Sequence, residues 1–156
     1  MSAPNVPDVQ LLTDSDARVV IKVSAFYTSA QTAGNTVIIQ ANTLKGANTS
    51  IVPCYLDVES IEFDVGTANG FLSVEYVGSA ANQKIISFGR VGGAGVFEQW
   101  IPNNATNPTG DINLFNSALD ANDTYSMVIT MRKRNDGTQA WANLFNAYNH
   151  TKGLGG

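Results

Sequence analysis

Few residues in this chain have the type and spacing to do chemistry. It holds one histidine, His150, and one cysteine, Cys54. Ser-His-Asp or Cys-His catalysis needs a base held rigidly against its nucleophile. His150 stands in a Gly- and Asn-rich stretch, a poor place for such a base. A transition-metal site would have to rest on carboxylates and Cys54 alone, and one cysteine excludes an intrachain disulfide. The cluster Gly89-Arg90-Val91-Gly92-Gly93-Ala94-Gly95 invites a phosphate-loop reading, but no Gly-Lys-Ser/Thr follows and no helical pattern opens after it. It is expected to be a wide loop or bulge between two strands.

Carboxylate pairs are the remaining catalytic option. Asp57 and Glu59 alternate with Leu56 and Val58, and Glu62 and Asp64 alternate with Ile61 and Phe63. Paired acids can hydrolyse glycosides when their environments separate their pKa values. The alternation instead predicts that all four face solvent. Asp14-Ser15-Asp16 and Asp120 to Asp123 offer oxygen ligands of the kind calcium takes, but neither completes a calcium loop, and turn capping is expected. Trp100 and Trp141 are flat enough to stack on sugar rings; both are expected to be packed. No catalytic, cofactor-binding or metal residue is assigned, no cofactor is implied, and the chain is not expected to be an enzyme.

The elements that would position a working surface are strands. Short β-rich runs divided by Gly, Asn, Asp and Pro dominate. In residues 18–27, Val19, Ile21, Val23 and Ala25 share one face. Residues 52–65 alternate cleanly except for the three-residue step from Val58 to Ile61, which predicts a β-bulge near Glu59-Ser60 or a meeting of two strands. Further strands are expected at 36–44, 71–77, 85–88 and 96–101. In residues 124–134, Tyr125, Met127, Ile129 and Met131 point one way. The entry to that strand resembles a sandwich corner in which the Tyr125 hydroxyl returns to upstream backbone. The pattern predicts an all-β fold: an antiparallel β-sandwich, jelly-roll-like, in a single domain over 1–156.

Two segments stand apart. Residues 1–16, with Pro4 and Pro7, read as an extended N-terminal arm able to add a strand to a neighbour. Residues 137–156 read as a C-terminal tail. There Trp141, Leu144, Phe145 and Tyr148 recur at i, i+3, i+4, i+7, the stripe of a short helix. These four are the expected interface residues, either covering the core or docking on a neighbouring subunit.

Charged residues make up 14% of the 156, against about 25% in ordinary domains. Polarity comes instead from 16 Asn, 11 Ser and 13 Thr, whose neutral side chains lose less on desolvation and suit broad, wet protein contacts. A net charge of −4 argues against nucleic acid as a partner. Its one basic run, Arg132-Lys133-Arg134, is expected at a strand end entering solvent. No apolar run approaches the ~18 residues of a membrane helix, so no membrane partner is expected. The opening residues show no secretory signal, which points to synthesis in a cytosol and leaves the four Asn-x-Ser/Thr sequons without weight.

Four stretches then carry a likeness. They are Ile85 to Gly95, Gln99-Trp100-Ile101-Pro102-Asn103-Asn104-Ala105, Thr109-Gly110-Asp111-Ile112-Asn113-Leu114, and Asp123 to Lys133. Together they resemble small virion structural proteins of tailed bacteriophages, of the capsid decoration or cement type. The likeness spans about residues 55 to 134 and rests on turn and strand grammar, not on a catalytic signature. It implies a β-sandwich, made in the host cytoplasm and located in the virion, that bridges neighbouring capsid subunits. Implied partners are the major capsid protein and copies of itself, as a trimer or dimer. Tail or baseplate membership, or glycan binding for host attachment, are the alternatives.

Overall fold

In the computed structural model, which describes residues 4–48, 54–89, 93–135 and 140–142, nine strands account for most of the described residues. They are β1 (Asp8–Asp14), β2 (Arg18–Phe26), β3 (Gly34–Gln40), β4 (Tyr55–Gly66), β5 (Leu72–Ala81), β6 (Gln83–Phe88), β7 (Gly93–Phe97), β8 (Thr106–Asn116) and β9 (Thr124–Arg134). One 3₁₀ turn, Ala41–Thr43, follows β3. Two antiparallel sheets pack face to face, in the orders β1-β2-β9-β4-β7 and β3-β8-β5-β6. No helix among the described residues is long and apolar enough to cross a membrane.

Leaving β1 aside, β2 pairs with β9, β3 with β8, β4 with β7 and β5 with β6. This is a long hairpin folded over on itself, so that every connection from β2 to β9 changes sheet except the one between β5 and β6. The result is the eight-stranded jelly roll. β1 is a ninth strand laid beside β2.

Alternation builds the core. On the larger sheet, Val19–Met131–Val58, Ile21–Ile129–Ile61 and Val23–Met127–Phe63 form three cross-strand rows facing inward. Ile112 and Leu114 of β8, paired with Tyr76 and Val74 of β5, answer them from the opposite sheet. The register of β4 against β9 shifts between Val58 and Ser60, the bulge that the Val58-to-Ile61 spacing required. Tyr76 crosses the core there: its hydroxyl accepts the Val58 N–H at 2.6 Å and donates to the Ile101 carbonyl, tying one sheet to the other.

Two backbone expectations change in the folded chain. Within the expected arm, residues 8–14 are extended, but they pair with the chain's own β2 in place of a free arm. The Tyr125 hydroxyl meets that of Tyr27 at 3.3 Å, not upstream backbone, because β2 brings Tyr27 against it inside the core.

Two predictions follow directly from packing. Gly110 holds a positive φ of 88°, and an added Cβ would stand 2.5 Å from the Cys54 carbonyl oxygen. Gly110→Ala should therefore cost about 2–4 kcal/mol from backbone strain and overpacking. Gly34→Ala, which meets open space, should stay within about 0.5 kcal/mol; urea unfolding of the two variants compares them. Burial also pushes the hydroxyls of Tyr27, Tyr76 and Tyr125 above their ordinary value. The unfolded tyrosines ionise near pH 10 while the folded ones stay protonated. Stability is thus unaffected by them below that pH and falls as pH rises past it. Tyrosinate absorbance should rise together with loss of near-ultraviolet circular dichroism, as one cooperative alkaline transition.

Candidate functional site: an apolar groove between two sheet edges

β1 and β3 end their respective sheets on the same side of the sandwich, and neither has a partner on its outer edge among the described residues. Between them runs an open groove of about 460 Å³, lined by Val9, Leu11 and Ile21 from one sheet and by residues between Val37 and Leu44 from the other. Val9 pairs with Val23 and Leu11 with Ile21, so both point to the core side of the sheet. Yet Val9 is 38% exposed, Leu11 53% and Val37 47%. β1 extends the larger sheet beyond the four-strand-wide jelly roll, so the side chains on its inner face overhang the opposing layer.

Edge bulges sharpen this surface. The register of β1 shifts between Leu11 and Thr13, and Leu12 is exposed beside Leu11. The register of β3 shifts between Val37 and Ile39, so Ile38 and Ile39 both bury while Val37 remains open. Bulges at sheet edges re-aim side chains and end pairing. A long edge with exposed Val and Leu is otherwise a liability that proteins cover or blunt, and apolar patches of this kind mark contact sites.

The C-terminal end of β1 is held by a buried cation. Lys133 is fully buried, and its Nζ reaches Asp14 Oδ1 at 2.7 Å, the Ser15 carbonyl at 2.6 Å and the Lys45 carbonyl at 2.7 Å. Asp14 Oδ2 also accepts the Lys45 N–H. This corrects the expectation that 132–134 run into solvent: Lys133 faces inward, in register with Met131, because acceptors from two distant segments converge on it.

A second polar cluster lies on β4. Asp57, expected in solvent with Glu59, is completely buried. It accepts from Arg134 Nε at 2.6 Å, the Asn103 N–H at 2.9 Å and Trp100 Nε1 at 3.3 Å. The bulge separates Glu59 from it, and Glu59 pairs with Arg18 and Arg132 instead. Glu62 and Asp64 do face solvent. Asp57 thus answers a cation and a backbone N–H, and the buried Glu75 accepts from the Asn82 side-chain amide at 3.3 Å. Asp123 caps its turn, accepting from Asp120 and Ala68 N–H groups. Among the described residues no group of three or more His, Cys, Asp or Glu is placed to hold a metal.

The two tryptophans part company. Trp100 is 48% exposed, with the Arg132 guanidinium 5.0 Å over its ring, against the expectation that it is packed. Trp141 is packed: it fills the end of the core, donates from Nε1 to the Tyr55 carbonyl at 2.9 Å and bridges to Ala47. Its indole is used by its own chain, the core-covering alternative of the two expected for it. Leu144, Phe145 and Tyr148 lie outside the described residues. The groove residues Val9, Leu11 and Val37 were missed in the sequence because nothing local tells an overhanging strand from a covered one; the Val9-Gln10-Leu11 alternation was the available signal.

Neither a family model nor a curated protein sequence matches the chain.

Proposed function

We propose that the chain is a virion structural protein that decorates or cements the capsid of a tailed phage, bridging neighbouring capsid subunits through protein contacts with the major capsid protein and with copies of itself. The observation that carries this is the open apolar groove between β1 and β3. Its Val and Leu side chains gain roughly 25 cal/mol for every Å² of apolar surface that a partner covers. A modest contact suffices when many copies must fail together. The jelly roll is compatible with this role, since viral capsid domains use it, though the fold alone does not assign it. The charge-poor, Asn-rich composition suits a protein covered by others.

The test is location. Gradient-purified phage particles made in cells expressing the tagged chain should carry it on their heads, in fixed ratio to the major capsid protein and visible by cryo-EM between capsid subunits. Recovery on separated tails alone would make it a tail or baseplate component. Absence from both heads and tails sinks the proposal.

Trp100 favours one second role, glycan binding, because a half-exposed indole with the Arg132 guanidinium beside it offers aromatic surface next to a polar group. Lectin domains share the jelly roll. Trp141 is buried, so a sugar-induced change in tryptophan fluorescence that vanishes in Trp100→Phe would support it; a flat response across a glycan panel would remove it.

A further inference from the structure

We infer that the outer face of the smaller sheet binds a saccharide, its hydroxyls held by Glu75 and Asn113 and its ring packed against Phe115. This surface lies apart from the β1/β3 groove and serves independently of the assembly role. β8 and β5 are the two central strands of that sheet. Ile112 and Leu114 of β8, with Val74 and Tyr76 of β5, face the core. Strand alternation therefore turns Asp111, Asn113 and Phe115, and likewise Ser73 and Glu75, to the outer side. An outer face ordinarily leaves its polar side chains in water. Here Ser73 is completely buried, Asn113 is 7% exposed and Glu75 8%.

The polar groups of this sheltered strip are only partly satisfied. The Ser73 and Ser87 hydroxyls share a hydrogen bond at 2.8 Å, and Glu75 Oε1 accepts from the Asn82 side-chain amide at 3.3 Å. Asn113 stands directly opposite Glu75 in the pairing, and its buried Oδ1 receives no donor from the described residues. Folded chains seldom keep such an oxygen, and a ligand that hydrogen-bonds to it accounts for one. A sugar hydroxyl both donates and accepts, so it satisfies Asn113 whichever way the amide is turned. Opposed residues on neighbouring strands stand about 5 Å apart at Cβ, so one sugar ring can reach both Asn113 and Glu75. A metal ion fits less well, since no group of three or more His, Cys, Asp or Glu gathers among the described residues.

The apolar side of a sugar also has a place. Phe115 follows Asn113 on the same face of β8 and is half-buried against Phe71, with ring centroids 5.8 Å apart. The Lys84 ammonium already lies 5.5 Å over the Phe71 ring, which leaves Phe115 as the aromatic wall beside Asn113. A few aimed polar groups next to an aromatic wall are the usual make-up of a small-ligand site. Two carboxylates, Glu75 and the half-buried Asp111, stand against one cation, Lys84, on this face, so a neutral or amino sugar fits better than an acidic one.

The test is titration of the isotope-labelled, full-length chain by NMR with galactose, glucose, mannose, N-acetylglucosamine and glucosamine, and with glucuronic acid as the acidic counterpart. At least one neutral or amino sugar should shift the Asn113 side-chain amide resonances at millimolar concentration. Glu75→Gln should weaken that affinity about tenfold, because a charged acceptor becomes a neutral one. It keeps the side chain's shape, so the loss is not a folding defect. Asn113→Val should abolish binding with the thermal midpoint unchanged or raised, since it removes an unpaired polar group and breaks no internal bond. No shift with any sugar, an affinity untouched by both variants, or binding of glucuronic acid alone overturns the site. A response lost in Trp100→Phe and kept in Asn113→Val places the sugar at the indole and overturns it too. So does a lowered midpoint in Asn113→Val with full affinity in Glu75→Gln, which makes Asn113 a structural residue.

Discussion

Lys133→Ala is expected to lower stability by about 3–5 kcal/mol, the cost of breaking a buried ion pair from one side. The Lys133 ammonium has three protons, and all three find acceptors: Asp14 Oδ1, the Ser15 carbonyl and the Lys45 carbonyl. It also lies 4.9 Å over the Trp141 ring. One side chain thus gathers β9, the turn between β1 and β2, the loop after the 3₁₀ turn and the Trp141 segment. Alanine would leave a carboxylate and two carbonyls facing a cavity. Asp14 retains some solvent access, which sets the result toward the lower half of that range. At roughly 2–4 °C per kcal/mol for a chain this size, the thermal midpoint should fall by about 10 °C. Lys133→Met keeps the stem's volume and should lose less, while Lys133→Arg should also suffer, because a planar fork cannot meet three converging acceptors. Hydrogen exchange should rise first in β1, whose far end loses its tie. A midpoint within 2 °C of wild type for Lys133→Ala would mean the cation is not buried as described.

Asp57→Ala ranks second, with an expected loss of about 3 kcal/mol by urea unfolding. The carboxylate takes the Arg134 Nε, the Asn103 N–H and the Trp100 indole N–H in a fully buried position. Removing it strands a guanidinium that is only partly exposed and a buried amide. Arg134 can recover some hydration, so the cost should stay below that of a wholly buried partner. Asp57→Asn keeps an acceptor oxygen and should lose about 1–2 kcal/mol. A double-mutant cycle with Arg134→Met isolates the pair; its coupling should survive high salt, since a buried pair is screened little. Coupling near zero would show that Asp57 is held by its backbone and indole donors alone. Trp100 fluorescence should shift to the red in Asp57→Ala, because the indole loses the group that pins it.

The sequence by itself determined several strands and the faces they bury, though its alternation marked none at β8. β9 runs over the same residues, 124–134, that its alternation predicts, and Tyr125, Met127, Ile129 and Met131 all turn inward. The spacing from Val58 to Ile61 required the bulge that β4 shows. All of this is local: a strand's period of two assigns each residue to one of two faces, and turn residues mark where the chain reverses. The N-terminal segment was legible as extended, because extension is local, but its pairing with β2 was not.

Only the tertiary structure decided which polar positions are buried and which apolar ones are left open. Lys133 continues the inward face of Met131 and Asp57 falls on the opposite face from Leu56 and Val58, yet both are buried, because partners 119 and 77 positions away in sequence, Asp14 and Arg134, arrive beside them. Val9 and Leu11 point toward the core and remain exposed, because the opposing sheet stops at β3 while their own sheet runs one strand further. Trp141 is packed as its type suggests, whereas Trp100 is half exposed. Periodicity states which side of a sheet a residue faces; whether anything lies opposite depends on how far the second layer extends, and that is set by long-range pairing.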